Sequence, residues 1–597
     1  MRFEQLRCSE KDASSAGGTM GGLAVEAILM NCLSCRLAEP PNPGALLEET
    51  ITADTVKHQP LPPAVKGDVT AAIDKNEHRF GAERKRSSSK KPLSRSSIIA
   101  DMNLCSRALR NALRARQCIN RPAWRLPDRR CARRTYASVS AADLQFGQPV
   151  HETHPHLVQA GEITPGITAL EYHQRRAKLA EVLPTNSIAI LAASDTKYRS
   201  GAVFYEFHQD PDFFYLTGFN EPQALAVIEK TGAGDEHAFH LYVRSKDSKA
   251  ELWDGARSGV QAAQDVFNAD ESGDINRVSS ILPDIVRRAE VVYTDLPGSV
   301  NSQSAFTQYL TGAAPQPTAG LPKLLQEARN TAVRPLRPLM NNLRVTKSEA
   351  EIRNMRRAGQ ASGRAFTEAM RQGWTKEKDL WAFLDYRFKA HGCDSWAYVP
   401  VVAGAENALS IHYVRNDDVL NKGDLVLVDA GGEYGGYIAD ITRTWPVDGK
   451  FSDAQRDLYE AILKVQRTCV SLCREDADMT LDKLHKVAEN GLKDGLKQLG
   501  FNMSGDALVT LFPHHLGHYI GLDVHDSPGY PRKTPLKTGH CITIEPGVYV
   551  PNDERWPAHF RGMGIRIEDS VCIQPESPLV FTPEAVKEVV DIEALRR

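Results

Sequence analysis

Apolar and polar positions divide the chain into an unpatterned leader and two patterned stretches. Residues 1–101 follow neither the helical nor the strand period and are rich in Ser, Lys and Pro. Such a segment cannot bury a core, so it reads as disordered or as an upstream extension of the gene. From residue 161 the pattern strengthens. Residues 172–181 are charged at helical spacing, while 187–192, 224–228 and 291–293 are short β-type runs. Together they predict an α/β domain over residues 161–330. The aromatic run Phe213-Phe214-Tyr215-Leu216 reads as a core strand. Pro335 and Pro338 mark a linker to a second domain over 336–597. There, apolar spacing of three and four predicts helices over 348–371 and 377–391. Residues 424–429 form a β-run ending on Asp429. Gly431, Gly432, Gly435 and Gly436 then turn the chain back, which explains the eleven-residue spacing to Asp440.

Composition changes this picture mainly at the leader. Over the 597 residues, 73 basic side chains nearly cancel 75 acidic ones, so nothing calls for nucleic acid or an anionic membrane. The balance hides an asymmetry: ten Arg against the single acid Asp128 between Met102 and Ser140. Arg107, Arg110, Arg114 and Arg116 stand among Leu and Ala. That acid-poor, amphipathic make-up is that of a mitochondrial transit peptide, assigned here to residues 102–136. The expected mature start is Tyr136 or, after loss of that residue, Ala137. Six of eleven cysteines lie at or before Cys131, including an incidental Cys32-x-x-Cys35; the rest are scattered and odd in number, as suits reduced thiols. The apolar run at 23–33 is interrupted by Glu26 and Asn31 and is too short to span a membrane.

Candidate chemistry concentrates near the end of the chain. Asp429, Asp440, His518, Glu545 and Glu568 offer four carboxylates and one imidazole, more ligands than one ion needs. They suit two divalent cations sharing bridging carboxylates, the two-metal arrangement used to activate water. An oxygen-rich set favours Mn²⁺, with Zn²⁺ or Co²⁺ possible for the single His. Each residue also has an ordinary reading. Asp429 can be a turn residue, Asp440 can pair with Arg443, Glu568 can pair with Arg566, and Glu545 can end a strand before Pro546-Gly547. His514 and His518 stand four apart but lack the Glu of a zincin helix.

The ordered series, above all His514-His515-Leu516-Gly517-His518-Tyr519-Ile520-Gly521-Leu522-Asp523-Val524-His525-Asp526 and Gly562-Met563-Gly564-Ile565-Arg566-Ile567-Glu568-Asp569, resembles the aminopeptidase P family of pita-bread metallopeptidases. Within it the resemblance is greatest to the mitochondrial Xaa-Pro aminopeptidase and intermediate cleaving peptidase branch, over about residues 160–590. It implies an α/β N-terminal domain followed by an α+β pita-bread catalytic domain with a dimetal site. It also implies that Asp440 and Glu568 bridge the metals, that His518 and Glu545 complete one ion, and that Asp429 clamps the other. His412 and His525 match positions that hydrogen-bond substrate and the tetrahedral intermediate, His514 a substrate-pocket position, and Arg566 a residue orienting the bridging Glu568. His515 has no match. The implied activity is release of the N-terminal residue of peptides and imported mitochondrial proteins. Either Xaa-Pro ends or a single bulky residue left after presequence cleavage would be taken. A prolidase restricted to dipeptides and a non-catalytic pita-bread binding protein are the alternatives. The family further implies a homo-oligomer, dimer or tetramer, on the matrix side of the mitochondrion.

Overall fold

The apolar run Ser187–Ala192 (β1) packs both of its faces and sits inside a six-stranded mixed sheet. The other strands are Leu225–Lys230 (β2), His237–Val243 (β3), Glu271–Asp274 (β4), Val291–Tyr293 (β5) and Ala332–Arg334 (β6), in the order β6-β5-β1-β2-β3-β4. The β1–β2 and β2–β3 pairs are antiparallel, and the rest are parallel. This computed structural model describes residues 145–296, 320–327 and 331–596. The leader readings, namely the disordered 1–101, Cys32 and Cys35, the transit peptide and the start at Tyr136 or Ala137, lie outside the described residues.

Helix α1, Ala169–Val182, falls where the charged periodic stretch predicts it and is capped by Thr168. The aromatic run is different: Pro211–Thr217 is a helix, α2, not the expected strand. The ends decide it. The Asp210 carboxylate caps the Phe213 amide at 2.8 Å, Pro211 is preset for the first turn, and Gly218 closes the helix in the left-handed region. Four aromatic or aliphatic side chains, Phe213, Phe214, Tyr215 and Leu216, are then buried around a single turn.

The linker is itself helical. Pro338 sits in the first turn of Arg337–Arg344 (α3). Beyond it, Glu349–Met370 (α4) begins with a reciprocal Ser348/Glu351 capping box and is followed by Glu377–Ala390 (α5). A three-stranded antiparallel sheet follows, with Leu425–Ala430 (β8) between Val401–Gly404 (β7) and Ile441–Pro446 (β11). The excursion from β8 to β11 is the hairpin of Gly432–Tyr434 (β9) and Tyr437–Ile438 (β10). Its two loop residues, Gly435 and Gly436, have φ of 58° and 84°, which a side chain resists. A second sheet joins Cys541–Ile544 (β12) to Asp569–Cys572 (β15), and a ribbon joins Gly547–Tyr549 (β13) to Gly564–Arg566 (β14). Asp453–Ser471 (α6) packs on these strands, and Leu481–Gln498 (α7) packs on α6. Val426, Val428, Trp445, Leu458, Ile462, Ile542 and Val571 share one core there.

The α/β-then-α+β order read from the sequence is therefore what the chain adopts. Cys393, Cys469, Cys473, Cys541 and Cys572 are buried and unpaired. Among the described residues no helix is long and apolar enough to cross a membrane.

Candidate metal centre

The strands bring the five ligand candidates to one place. Asp429 lies on β8, opposite Thr442 of β11, so Asp440, just before β11, returns on the same side. Glu568 sits between β14 and β15 and its amide donates to the Thr442 carbonyl at 3.0 Å. Glu545 follows β12. The His518 segment runs beside that strand, with the Thr543 amide on the His518 carbonyl at 2.9 Å and the Glu545 amide on the Leu516 carbonyl at 2.8 Å. Gly517 is required there, because a Cβ would stand 1.9 Å from the Thr543 carbonyl oxygen.

One donor atom each of Asp440, His518 and Glu568 lies within 4.8 Å of the other two. The His518 Nε2 is 3.5 Å from Asp440 Oδ2 and 3.6 Å from Glu545 Oε1. The His518 Nδ1 lies 3.0 Å from the Tyr519 carbonyl, which can only accept. Nδ1 therefore carries a proton and Nε2 is directed at the carboxylates.

The remaining contacts orient the acids. Tyr398 Oη donates to Asp429 Oδ1 at 2.5 Å and also meets Asp440 Oδ1. Arg566 donates to Asp429 Oδ2 at 2.6 Å, to Thr442 Oγ1 at 3.0 Å and to Tyr549 Oη at 2.7 Å. Thr442 in turn donates to Glu568 Oε2 at 2.7 Å. Glu568 Oε1 is buried with no hydrogen-bond partner.

The sequence-level pairings come out differently. Arg443 turns away from Asp440 and binds Asp569 at 2.7 Å. Arg566 grips Asp429 and reaches Glu568 only through Thr442. Tyr398, Thr442 and Tyr549, which hold these groups, have no spacing along the chain that marks them. Tyr398 stands in Trp396-Ala397-Tyr398-Val399, which carries no periodic or motif signal.

Three of the four histidines lie around the cluster. His514 Nδ1 donates to the His515 carbonyl at 2.9 Å, so Nε2 accepts from Tyr549 Oη at 2.9 Å. Burial, then Arg566, pushes the His514 imidazole down to about 4, so it stays neutral. The His525 ring stands edge-on to His518 at 4.4 Å. His412 is exposed on its loop, on the side of His525. His515 is exposed and packs edge-on against His485.

The electrostatics demand positive charge. Burial first, then the neighbouring Asp440, Glu545 and Asp429, holds Glu568 well above the usual carboxylate range. Burial also lifts Glu545 to about 7 against the pull of His518 and Arg566. Burial draws the His518 imidazole down, but Asp440 and Glu545 outweigh it and push it up to about 9. Protons and metal cations compete for these same lone pairs. Two buried acids, Asp440 and Glu568, two half-buried ones, Asp429 and Glu545, an orphaned Glu568 oxygen and an imidazole fixed by its far nitrogen fit divalent cations.

Residues 353–575 match Metallopeptidase family M24 and residues 172–293 match Aminopeptidase P, N-terminal domain. Intermediate cleaving peptidase 55 of Saccharomyces cerevisiae is 46% identical over 461 residues, which cover 77% of this chain and 90% of that protein. Its crystal structure, with 58 N-terminal residues deleted, has a TM-score of 0.67 at 45% identity, covering 73% of this chain and 99% of that one. The mitochondrial intermediate cleaving peptidase 55 of Arabidopsis thaliana is 38% identical over 466 residues, 78% of this chain and 90% of the relative. Zinc-substituted Escherichia coli aminopeptidase P in complex with product has a TM-score of 0.65 at 33% identity, covering 72% and 98%.

Proposed function

The chain belongs to metallopeptidase family M24, with the aminopeptidase P N-terminal domain and the pita-bread fold, and from that premise we propose how it acts and on what. It is a metallo-aminopeptidase of mitochondria that removes the N-terminal residue left after presequence cleavage. Its N-terminal domain is placed at residues 161–330 and its catalytic domain at 336–597. Mn²⁺ is the ion assigned to the centre, the matrix is the compartment, and the working state is a homo-oligomer. Single bulky residues and Xaa-Pro ends are the substrates. The Arg-rich 102–136 segment supports mitochondrial import, driven by the potential across the inner membrane.

The observation that carries the reading is the cluster of Asp440, His518 and Glu568, joined by Asp429 through Tyr398 and by Glu545 through His518, with one buried Glu568 oxygen left without a partner. Asp429, Asp440, His518, Glu545 and Glu568 are the side chains that would hold two divalent cations, with Asp440, His518 and Glu568 close enough to share one. When bound, the pair of cations supplies Lewis-acid polarisation and a water of lowered pKa. Every other role falls to the chain. Tyr398 and Arg566 fix the two oxygens of Asp429, and Thr442 fixes one of Glu568. The Tyr519 carbonyl holds the His518 tautomer. His412 and His525 donate to the oxygen that gains charge as the peptide carbonyl becomes tetrahedral. Neutral His514, held through Tyr549 by Arg566, borders the substrate.

The test uses the full-length, metal-reconstituted enzyme with three peptides: one beginning Tyr-Ala-Ser, one beginning Xaa-Pro, and an Xaa-Pro dipeptide. Mass spectrometry is expected to show loss of one residue from both longer peptides. Cleavage confined to the dipeptide would replace this reading with a prolidase, and no cleavage of any peptide would favour a binding protein.

A further inference from the structure

The loop that carries His525 is gripped from outside the catalytic sheets. Its neighbours in sequence, Asp523 and Asp526, both turn to Arg344 at the end of the linker helix α3: Arg344 binds Asp523 Oδ2 at 2.7 Å and meets Asp526 Oδ1. Lys347 holds the other Asp526 oxygen at 2.8 Å, and the Asn341 amide donates to the Pro528 carbonyl at 2.7 Å. The far side of the Arg344 guanidinium binds Asp212 Oδ1 at 2.6 Å, in the first turn of α2 of the N-terminal domain. Arg337 holds the second Asp212 oxygen at 3.0 Å. Three cations thus meet three carboxylates. Only 2% of the Arg344 side chain, 1% of Lys347 and 1% of Asp526 is exposed. A planar guanidinium is the one side chain that can serve three separate acids from a fixed position.

We propose that Arg344 is a positioning residue for His525, and that through Asp212 it ties the seating of the N-terminal domain to the catalytic loop. The inference rests on the role given to His525 above. Arg344 touches neither the ligand cluster nor the space before it. It acts by fixing Asp523 and Asp526 on either side of a histidine whose ring lies 4.4 Å from His518. A displacement of ~1 Å at a catalytic group costs on the order of 10²-fold in rate.

The experiment compares R344M, D212N, H525A and the R344M/H525A double variant, each metal-quantified as the full-length enzyme. R344M is expected to lower kcat by on the order of 10- to 10²-fold with KM and metal content held. The double variant is expected to be no slower than H525A, because the two residues act as one unit. D212N, which keeps the clamp on the loop but leaves Arg344 and Arg337 only a neutral acceptor in the N-terminal domain, is expected to show a smaller fall in kcat. If R344M does not fold, D523N, at the exposed edge of the cluster, takes its place with the same expectation. Unchanged kcat in R344M or its substitute, or losses that multiply in the double variant, would overturn the proposal. Unchanged kcat in H525A would instead overturn the role given to that histidine.

Discussion

Asp440 shares the Tyr398 hydroxyl with Asp429 on one oxygen and faces His518 Nε2 at 3.5 Å with the other, so it is the hinge of the cluster. Asp440→Asn removes that charge while keeping the shape. Metal content is expected to drop and turnover to fall by at least the ~10–100-fold known for outer-shell partners, with far-UV circular dichroism unchanged; near-normal turnover at full metal content would refute the dimetal assignment. The histidines are expected to behave differently. His412→Ala and His525→Ala should retain metal, yet lose on the order of 10²–10³ in kcat, as for loss of one oxyanion donor. That these five side chains come together is legible because carboxylates and His recur in short, ordered segments. Tyr398 and Thr442 were not, because a hydroxyl that acts only by a contact across strands leaves no spacing along the chain. Arg566 is legible from its place two residues before Glu568, but its direct grip on Asp429 is not, because that contact crosses to another strand, while its link to Glu568 runs through Thr442.

At the level of elements, close backbone approach holds the ligand strands together. A Cβ on Gly431 would stand 1.8 Å from the Ala439 carbonyl oxygen, between the two strands that present Asp429 and Asp440. Gly431→Ala must therefore part them. It is expected to destabilise the fold by about 1–3 kcal/mol, as for overpacking, and to weaken metal affinity more than a substitution of equal cost elsewhere. Urea unfolding and metal titration of the same variant check both halves. The amphipathic α4 and α5 and the strand β8 were readable from their periods. Helix α2 was not, because four large apolar residues in a row carry no period, and its length of seven residues leaves the decision to Asp210, Pro211 and Gly218.

For the whole molecule, the buried ion cluster between α2, α3 and the His525 loop sets an acid limit. Burial alone would raise Asp526, yet Arg344 and Lys347 overcome it and hold the group at about 2. An unfolded Asp titrates near 3.9. The folded value is depressed, so the Asp526 carboxylate contributes fully above about pH 4, by roughly 2–3 kcal/mol, and that contribution is lost as pH falls through about 2, while burial shifts its neighbour Asp523 the other way. Denaturant midpoints measured from pH 5 downward are expected to fall across that window, and D526N should flatten the fall. The sequence showed two domains but not this junction, since its members are single charges scattered from Asp212 to Asp526. The same scattering governs the ligand candidates, which run from Asp429 to Glu568 and meet only when three separate strand pairs have formed. No short stretch of the chain holds enough of them to seize an ion early. A peptidase built this way is unarmed while its chain is open, and its cutting edge exists only after the last long-range pairing closes.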